Sequence, residues 1–135
     1  MRIRFRDDES GAAMVEFAVV AALFFIPLVF GIIEFGRVVW AKNMITAAAR
    51  EGTRYAVVHG ADNTGLTADS AAVANYVINR TKLSPIGVST VWKNAKEAQD
   101  TVTVTVKYTY TPIVKVPGLL TSKNLTGIST QIVYF

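Results

Sequence analysis

Residues 12–33 read AAMVEFAVVAALFFIPLVFGII, and this stretch decides the architecture of the chain. Its 22 residues include one charged side chain, Glu16. At about 1.5 Å of rise per residue, a helix of this length reaches ~33 Å, enough for the ~30 Å hydrocarbon core of a bilayer. A signal peptide has a shorter apolar core of ~7–15 residues, and a buried helix this long would be unusual in so small a domain. The stretch therefore predicts a membrane-spanning helix.

The charges on either side of this helix leave its orientation open. Three basic residues lie near its start and four near its end: Arg2, Arg4 and Arg6, then Arg37, Lys42, Arg50 and Arg54. The positive-inside rule compares the Lys and Arg near the two ends of a span, so counts this similar do not decide which end is cytoplasmic.

Composition limits the functions that the chain can have. Of its 135 residues 51% are apolar and 18% charged, which is typical of one folded or membrane-embedded domain. The net charge of +4 is spread along the chain and gives no indication of a nucleic-acid partner. Cysteine is absent and histidine occurs once, as His59, which excludes thiolate zinc sites, cysteine nucleophiles, zincin motifs and serine triads. We expect no enzymatic activity, no metal and no cofactor.

Helical periodicity continues beyond the apolar stretch. Residues 37–58 contain no proline, and small or apolar side chains recur on one face: Ala41, Met44, Ile45, Ala48, Gly52 and Tyr55. We predict one helix from about Ser10 to about Val58, with a stop at His59-Gly60. Pro27 should kink this helix, because proline lacks the amide hydrogen and crowds the preceding turn.

The rest of the chain predicts a short helix followed by three strands. After a loop over residues 60–68, residues 69–81 predict a helix with Asp69 as its N-cap and an apolar face of Ala72, Val73, Tyr76 and Val77. Strands are predicted at residues 88–93, 101–110 and 128–135, the last two separated by Pro112 and Pro117-Gly118. In the second strand valines and tyrosines alternate with polar residues, mostly threonines, which indicates one buried face. The predicted fold class is α+β, with a long N-terminal helix packed on a small antiparallel sheet.

A short motif stands at the start of the apolar helix, Gly11-Ala-Ala-Met-Val-Glu16-Phe17. An acid near a helix N-terminus is tolerated, because the helix dipole favours a carboxylate there. A cut after Gly11 would also create an amine on Ala12, and Glu16 is its neighbour at i, i+4 on the helix surface. That amine would be largely cationic near neutral pH.

Gly11-X-X-X-X-Glu16-Phe17 ahead of an apolar helix resembles the processing site of type IV prepilin-like proteins. Two further segments follow it in order, Ile33-Glu34-Phe35-Gly36-Arg37 and the sequence AREGTRYA at residues 49–56. Together the three segments resemble the TadE-like family of pseudopilins in tight adherence (Flp) pilus systems. The resemblance covers residues 11–56.

This resemblance implies a membrane precursor that is processed and assembled. An aspartic prepilin peptidase would cut between Gly11 and Ala12 on the cytoplasmic side of the inner membrane, and Glu16 and Phe17 would serve subunit assembly. The chain would then divide into a leader (1–11), a transmembrane helix (12–36) and an extracytoplasmic pilin-like domain (37–135). Its expected partners are the peptidase, other pilins or pseudopilins, inner-membrane assembly proteins and the lipid bilayer.

Some alternatives stay open at this point. Glu34 and Arg37 are three residues apart and can pair across one helical turn, either as solvated interfacial charges or in contact with a neighbouring subunit. The leading function is a minor structural subunit of a tight adherence pilus, which could also be incorporated into the pilus at the cell surface. The alternatives are a membrane-anchored binding module that does not polymerise and the major subunit of a filament.

Overall fold

The computed structural model describes residues 9–59, 69–93, 101–113 and 121–133. Its elements are helix α1 (Glu9–His59), helix α2 (Ser70–Arg80) and strands β1 (Ile86–Trp92), β2 (Thr101–Tyr110) and β3 (Lys123–Ile132). This order confirms the predicted α+β fold class, with a long helix, a short helix and an antiparallel sheet. The predictions for residues 1–8 of the leader, for the loop at 60–68, for Pro117-Gly118 and for residues 134–135 lie outside the described residues.

The chain divides into two compact units. One ends at Gly36 and the other, which we call the lobe, is Arg37–Phe135. The first unit contains the apolar part of α1. The lobe contains the rest of α1, α2 and the sheet.

Helix α1 begins at Glu9 and ends at His59, each within one residue of the predicted end. Pro27 lies inside the helix, and the kink expected there stays a prediction. Within the lobe, the small and apolar face predicted for residues 37–58 points inward. Ala41, Ile45 and Gly52 are buried, and Met44, Ala48 and Tyr55 are half-buried. The 3.6-residue period therefore identified the packed face of this half of α1 correctly.

Helix α2 starts as its sequence predicts. Asp69 has extended backbone angles, and one of its carboxylate oxygens accepts a hydrogen bond from the amide of Ser70 at 2.6 Å. Val73 and Val77, four residues apart, are buried. The predicted N-cap and the centre of the predicted apolar face are both confirmed.

The sheet has the order β1-β2-β3, and both neighbouring pairs are antiparallel. In the central strand Val102, Val104 and Val106 are fully buried, whereas the residues between them face outward. This confirms the period-two prediction for residues 101–110. Thr103 and Thr130 stand opposite each other on the outer face with their hydroxyl oxygens 3.0 Å apart.

The predicted boundaries of two strands are wrong. Strand β1 begins at Ile86 and not at residue 88, because Ile86 already pairs with Tyr108 of β2. Strand β3 begins at Lys123 and ends at Ile132, whereas the sequence predicted residues 128–135. All ten residues of β3 pair with β2, so main-chain hydrogen bonds extend the strand where side-chain alternation is weak.

The core lies between the lobe half of α1, α2 and the inner face of the sheet. Its buried apolar residues are Ala41, Ile45, Ala49, Ala56, Val73, Val77, Leu83, Val102, Val104, Val106, Tyr110 and Val133. Trp92 is partly buried and packs against this cluster.

Helix α1 makes main-chain contact with strand β3. A Cβ built on Gly127 would lie 2.5 Å from the carbonyl oxygen of Ile45, so glycine is needed for this approach. Beside it the ammonium group of Lys42 donates a hydrogen bond to the carbonyl oxygen of Thr126. The lobe half of α1 is thus seated directly on the edge strand β3.

Candidate functional site

The predicted processing and assembly residues occupy the first turns of α1. Gly11 is half-buried, while Ala12, Glu16 and Phe17 are exposed. The helix runs through all four positions, so Ala12 and Glu16 lie one turn apart on the same face, about 5–6 Å between Cβ atoms. The geometry on which the predicted amine–carboxylate pairing depends is therefore present, while the roles of these four residues stay predictions.

The apolar half of α1 exposes large side chains on all of its faces. Between Met14 and Ile33 the exposed fraction of these side chains runs from 37% at Val29 to 75% at Phe17. A helix that is apolar all round is suited to lipid or to close packing among other helices, and not to water. Among the described residues α1 is long and apolar enough to cross a bilayer, and no residue in its most apolar part is buried.

Glu34 and Arg37 are not a pair of fully solvated charges. Glu34 is only 8% exposed. Arg37 is half-buried and donates a hydrogen bond from Nη1 to the hydroxyl of Tyr110 at 3.2 Å. The guanidinium carbon also lies 5.5 Å from the centroid of the Tyr110 ring, a cation–π distance. Arg37 therefore joins the first turn of the lobe to the end of β2, and the predicted Glu34–Arg37 pairing stays a prediction.

The sequence at residues 49–56 forms the main packing face of α1 in the lobe. Ala49, Gly52, Thr53 and Ala56 are buried, at spacings of three and four residues. A Cβ on Gly52 would lie 2.6 Å from a methyl group of Val77, so this glycine lets α2 approach closely. The sequence at residues 49–56 thus has a structural explanation, because its small residues let α2 and the sheet pack close to α1.

Thr53 is a buried polar residue that sequence patterns did not single out. Its hydroxyl oxygen lies 2.7 Å from the carbonyl oxygen of Ala49 and 3.3 Å from that of Ser129 in β3. A threonine inside a helix commonly bonds to the carbonyl four residues earlier, so the first contact has a local signal. The contact with Ser129 joins residues that are 76 apart in the chain, so no local sequence pattern predicts it.

Three aromatic rings stack where α1 ends. The rings of Tyr55 and Tyr76 have centroids 4.3 Å apart, and those of Tyr55 and His59 are 4.2 Å apart. Nδ1 of His59 lies 2.9 Å from the carbonyl oxygen of Tyr55. The stack ties the last turn of α1 to α2.

An apolar cavity of about 140 Å³ lies between α1 and α2. Its lining residues are Met44, Ala47, Ala48, Glu51, Tyr76, Val77, Arg80 and Thr81. One acid and one arginine among small and apolar side chains offer no nucleophile–base arrangement. Within the four described ranges, no group of three or more His, Asp or Glu could hold a metal ion.

Comparison with known proteins gives one match. The model of the family described as TadE-like protein matches residues 11–54. No curated protein and no solved structure matches the chain. The matched part begins at the predicted processing site and ends within the buried face at residues 49–56. Over residues 11–54 the match confirms the resemblance to the TadE-like family, and this family suggests involvement in tight adherence pilus systems. Together with the apolar half of α1, the match fits a membrane-anchored protein.

Proposed function

We propose that the chain is a minor pseudopilin-like structural subunit in the biogenesis of a tight adherence pilus. It would be made as a single-pass precursor in the inner membrane, with its N-terminus in the cytoplasm and its lobe outside. The observation that carries this proposal is the family match beginning at Gly11, on a helix whose apolar side chains are exposed on every face. Such a helix can exchange lipid for other apolar helices without losing burial.

The first step is removal of residues 1–11 by the prepilin peptidase. The bond between Gly11 and Ala12 lies in the first turn of α1, and terminal turns open at little cost in free energy. Glycine adds no side chain beside the bond. These features support cleavage at this point by an aspartic peptidase in the membrane.

The second step uses Glu16 as the partner of the new amine. After the cut, Ala12 carries a cation near neutral pH, and a charge that loses its water needs an opposite charge beside it. Glu16 is one turn away and is the one charged side chain in residues 12–33. Its carboxylate would neutralise the amine of its own chain or of the preceding subunit when the helix leaves lipid, with Phe17 packing beside it.

The lobe would stay folded outside the membrane and supply the contacts to other pilins and to assembly proteins. A permanently anchored binding module would use the same helix and the same lobe. It would need neither the cut nor Glu16, so these two features separate the two functions.

Mass spectrometry of the mature N-terminus tests the proposal. In cells with an active prepilin peptidase, we expect a chain that starts at Ala12 and contains the 124 residues left after residues 1–11 are removed. Gly11→Leu should block the cut. Gly31→Leu is the matched control, because nothing lies within 4 Å of a Cβ at that glycine of the same helix. Recovery of wild-type protein with Met1 intact from such cells would refute the proposed processing.

A further inference from the structure

One end of the lobe carries an exposed tryptophan, an exposed isoleucine and two exposed lysines. Trp40 is 53% exposed and Ile113 is 67% exposed. Lys42 and Lys123 are also exposed. We call this group of four residues the Arg37 end.

The contact between Arg37 and Tyr110 brings the residues close to each of them in the chain to one end of the lobe. Arg37 donates to the hydroxyl of Tyr110, which joins the start of the lobe half of α1 to the end of β2. Trp40 follows Arg37 by three residues and lies on the same side of the helix. Ile113 follows Tyr110 by three residues, and Lys123 is opposite Tyr110 in the β2–β3 register.

The Arg37 end is close in the chain to the apolar helix. Ile33 is the last residue of the apolar stretch, and Arg37 comes four residues later. Four residues of fully extended chain span at most about 14 Å. If residues 12–33 cross a bilayer, the headgroup layer is therefore within reach of the Arg37 end.

The charges at this end favour an anionic partner. The ammonium group of Lys42 donates to a neutral main-chain carbonyl, that of Thr126, so its charge is not compensated by that contact. Strands β1, β2 and β3 contain no Asp or Glu. The acids nearest to Lys42 in the chain are Glu34, which is buried, and Glu51, more than two turns further along α1.

We propose that the Arg37 end rests on the bilayer surface and is held there by the headgroups of acidic phospholipids. Tryptophan is enriched at membrane–water interfaces, and each lysine near an anionic leaflet favours binding. Trp40 and Ile113 would enter the interfacial layer while Lys42 and Lys123 meet phosphate groups. This inference rests on the membrane-spanning helix of the proposed function and adds a second contact with lipid.

Single-cysteine labelling of the full chain tests the inference, because the natural sequence has no cysteine. A polarity-sensitive fluorophore is placed at Ile113→Cys and, as the matched control, at Val91→Cys. Val91 is 60% exposed and pairs with Thr103, seven residues of β2 or ~24 Å from Tyr110. A third label at Val20→Cys reports whether α1 is in lipid. The labelled chains are reconstituted in vesicles of phosphatidylcholine alone and in vesicles of phosphatidylcholine with about one third phosphatidylglycerol, an acidic phospholipid.

We expect the label at Ile113 to be shielded from an aqueous quencher in the acidic vesicles and less so in the neutral ones. The label at Val91 should be quenched equally in both. Lys123→Gln should lower the equilibrium constant for this contact with the acidic vesicles about fivefold and so reduce the difference between the two compositions. If Val20 is shielded while Ile113 is quenched as strongly as Val91, the inference is wrong and the membrane helix stands.

Two other outcomes also decide the matter. If Val20 itself is exposed to the aqueous quencher, the membrane helix of the proposed function fails, and this inference fails with it. If shielding of Ile113 appears only at a high ratio of protein to lipid, a second copy of the chain covers the Arg37 end, and the lipid contact is refuted.

Discussion

The main chain of Ile45 lies so close to Gly127 that a Cβ on Gly127 would meet the Ile45 carbonyl oxygen at 2.5 Å and its carbonyl carbon at 2.7 Å. Both atoms belong to the backbone of α1, so they cannot move aside as the end of a long side chain can. The distance between α1 and β3 is therefore fixed by the absence of a side chain at this position.

Gly127→Ala should lower the free energy of unfolding of the lobe by about 1–3 kcal/mol, because α1 must move away from β3 to admit the methyl group. Gly87→Ala is the matched control, since a Cβ there would meet only the Cβ of Lys107, at 4.0 Å. Thermal unfolding of the full chain in detergent, followed by circular dichroism, measures both. Equal stability of the two variants would contradict the close contact.

Tyr110→Phe should lower the free energy of unfolding by about 1–2 kcal/mol, because Arg37 loses a hydroxyl acceptor in a half-buried position while the ring remains. The control is Tyr108→Phe, a half-buried tyrosine of the same strand whose hydroxyl has no hydrogen bond to any described residue. Chemical denaturation in the same detergent gives both values. A loss for Tyr108→Phe as large as that for Tyr110→Phe would show that the Arg37 contact contributes nothing.

Thr53→Val should cost about 1 kcal/mol, since valine keeps the shape of threonine but cannot donate to the carbonyl oxygens of Ala49 and Ser129. Thr46→Val is a close control. The hydroxyl of Thr46 donates to the carbonyl of Lys42 at 2.8 Å in the same helix, but water reaches this exposed bond and can replace it. Chemical denaturation gives the free energy of unfolding of each variant. Thr53→Val should be less stable than Thr46→Val by most of the loss expected at Thr53.

Glu16→Ala and Glu16→Gln should abolish piliation while the protein remains processed, folded and in the membrane. Removing an acid from lipid does not hinder insertion, but an assembling helix would then carry an unpaired amine at Ala12, which costs several kcal/mol when buried. Pilus yield and crosslinking to partner subunits measure the effect, with Glu51→Gln as a control acid on α1. Normal piliation in both Glu16 variants at normal protein levels would favour the anchored binding module.

The elements with a strong period were predictable from the sequence. Helix α1, the N-cap Asp69 and the two faces of β2 follow from side-chain spacing, because one face of each is buried and the other is not. Strand β3 does not follow this rule. Gly127 is buried and the larger Ile128 is 60% exposed, since the inner face at that point is occupied by the backbone of α1.

The candidate site was predictable only where its residues are neighbours in sequence. Gly11, Ala12, Glu16 and Phe17 stand within two turns of one helix, so spacing placed them correctly relative to one another. Arg37 and Tyr110 are 73 residues apart, and their contact depends on how α1 lies against the sheet. No local sequence pattern shows how α1 lies against the sheet, so the sequence predicted only a nearby partner for Arg37, namely Glu34.

The buried apolar residues of the described chain all come after Arg37, from Ala41 to Val133. Among the described residues, none of this buried apolar cluster belongs to the apolar half of α1. If the proposed function holds, such a subunit would be withdrawn from lipid by a force applied to a lobe that is already folded. The work of extraction would then be done on the first half of α1, without unfolding the lobe.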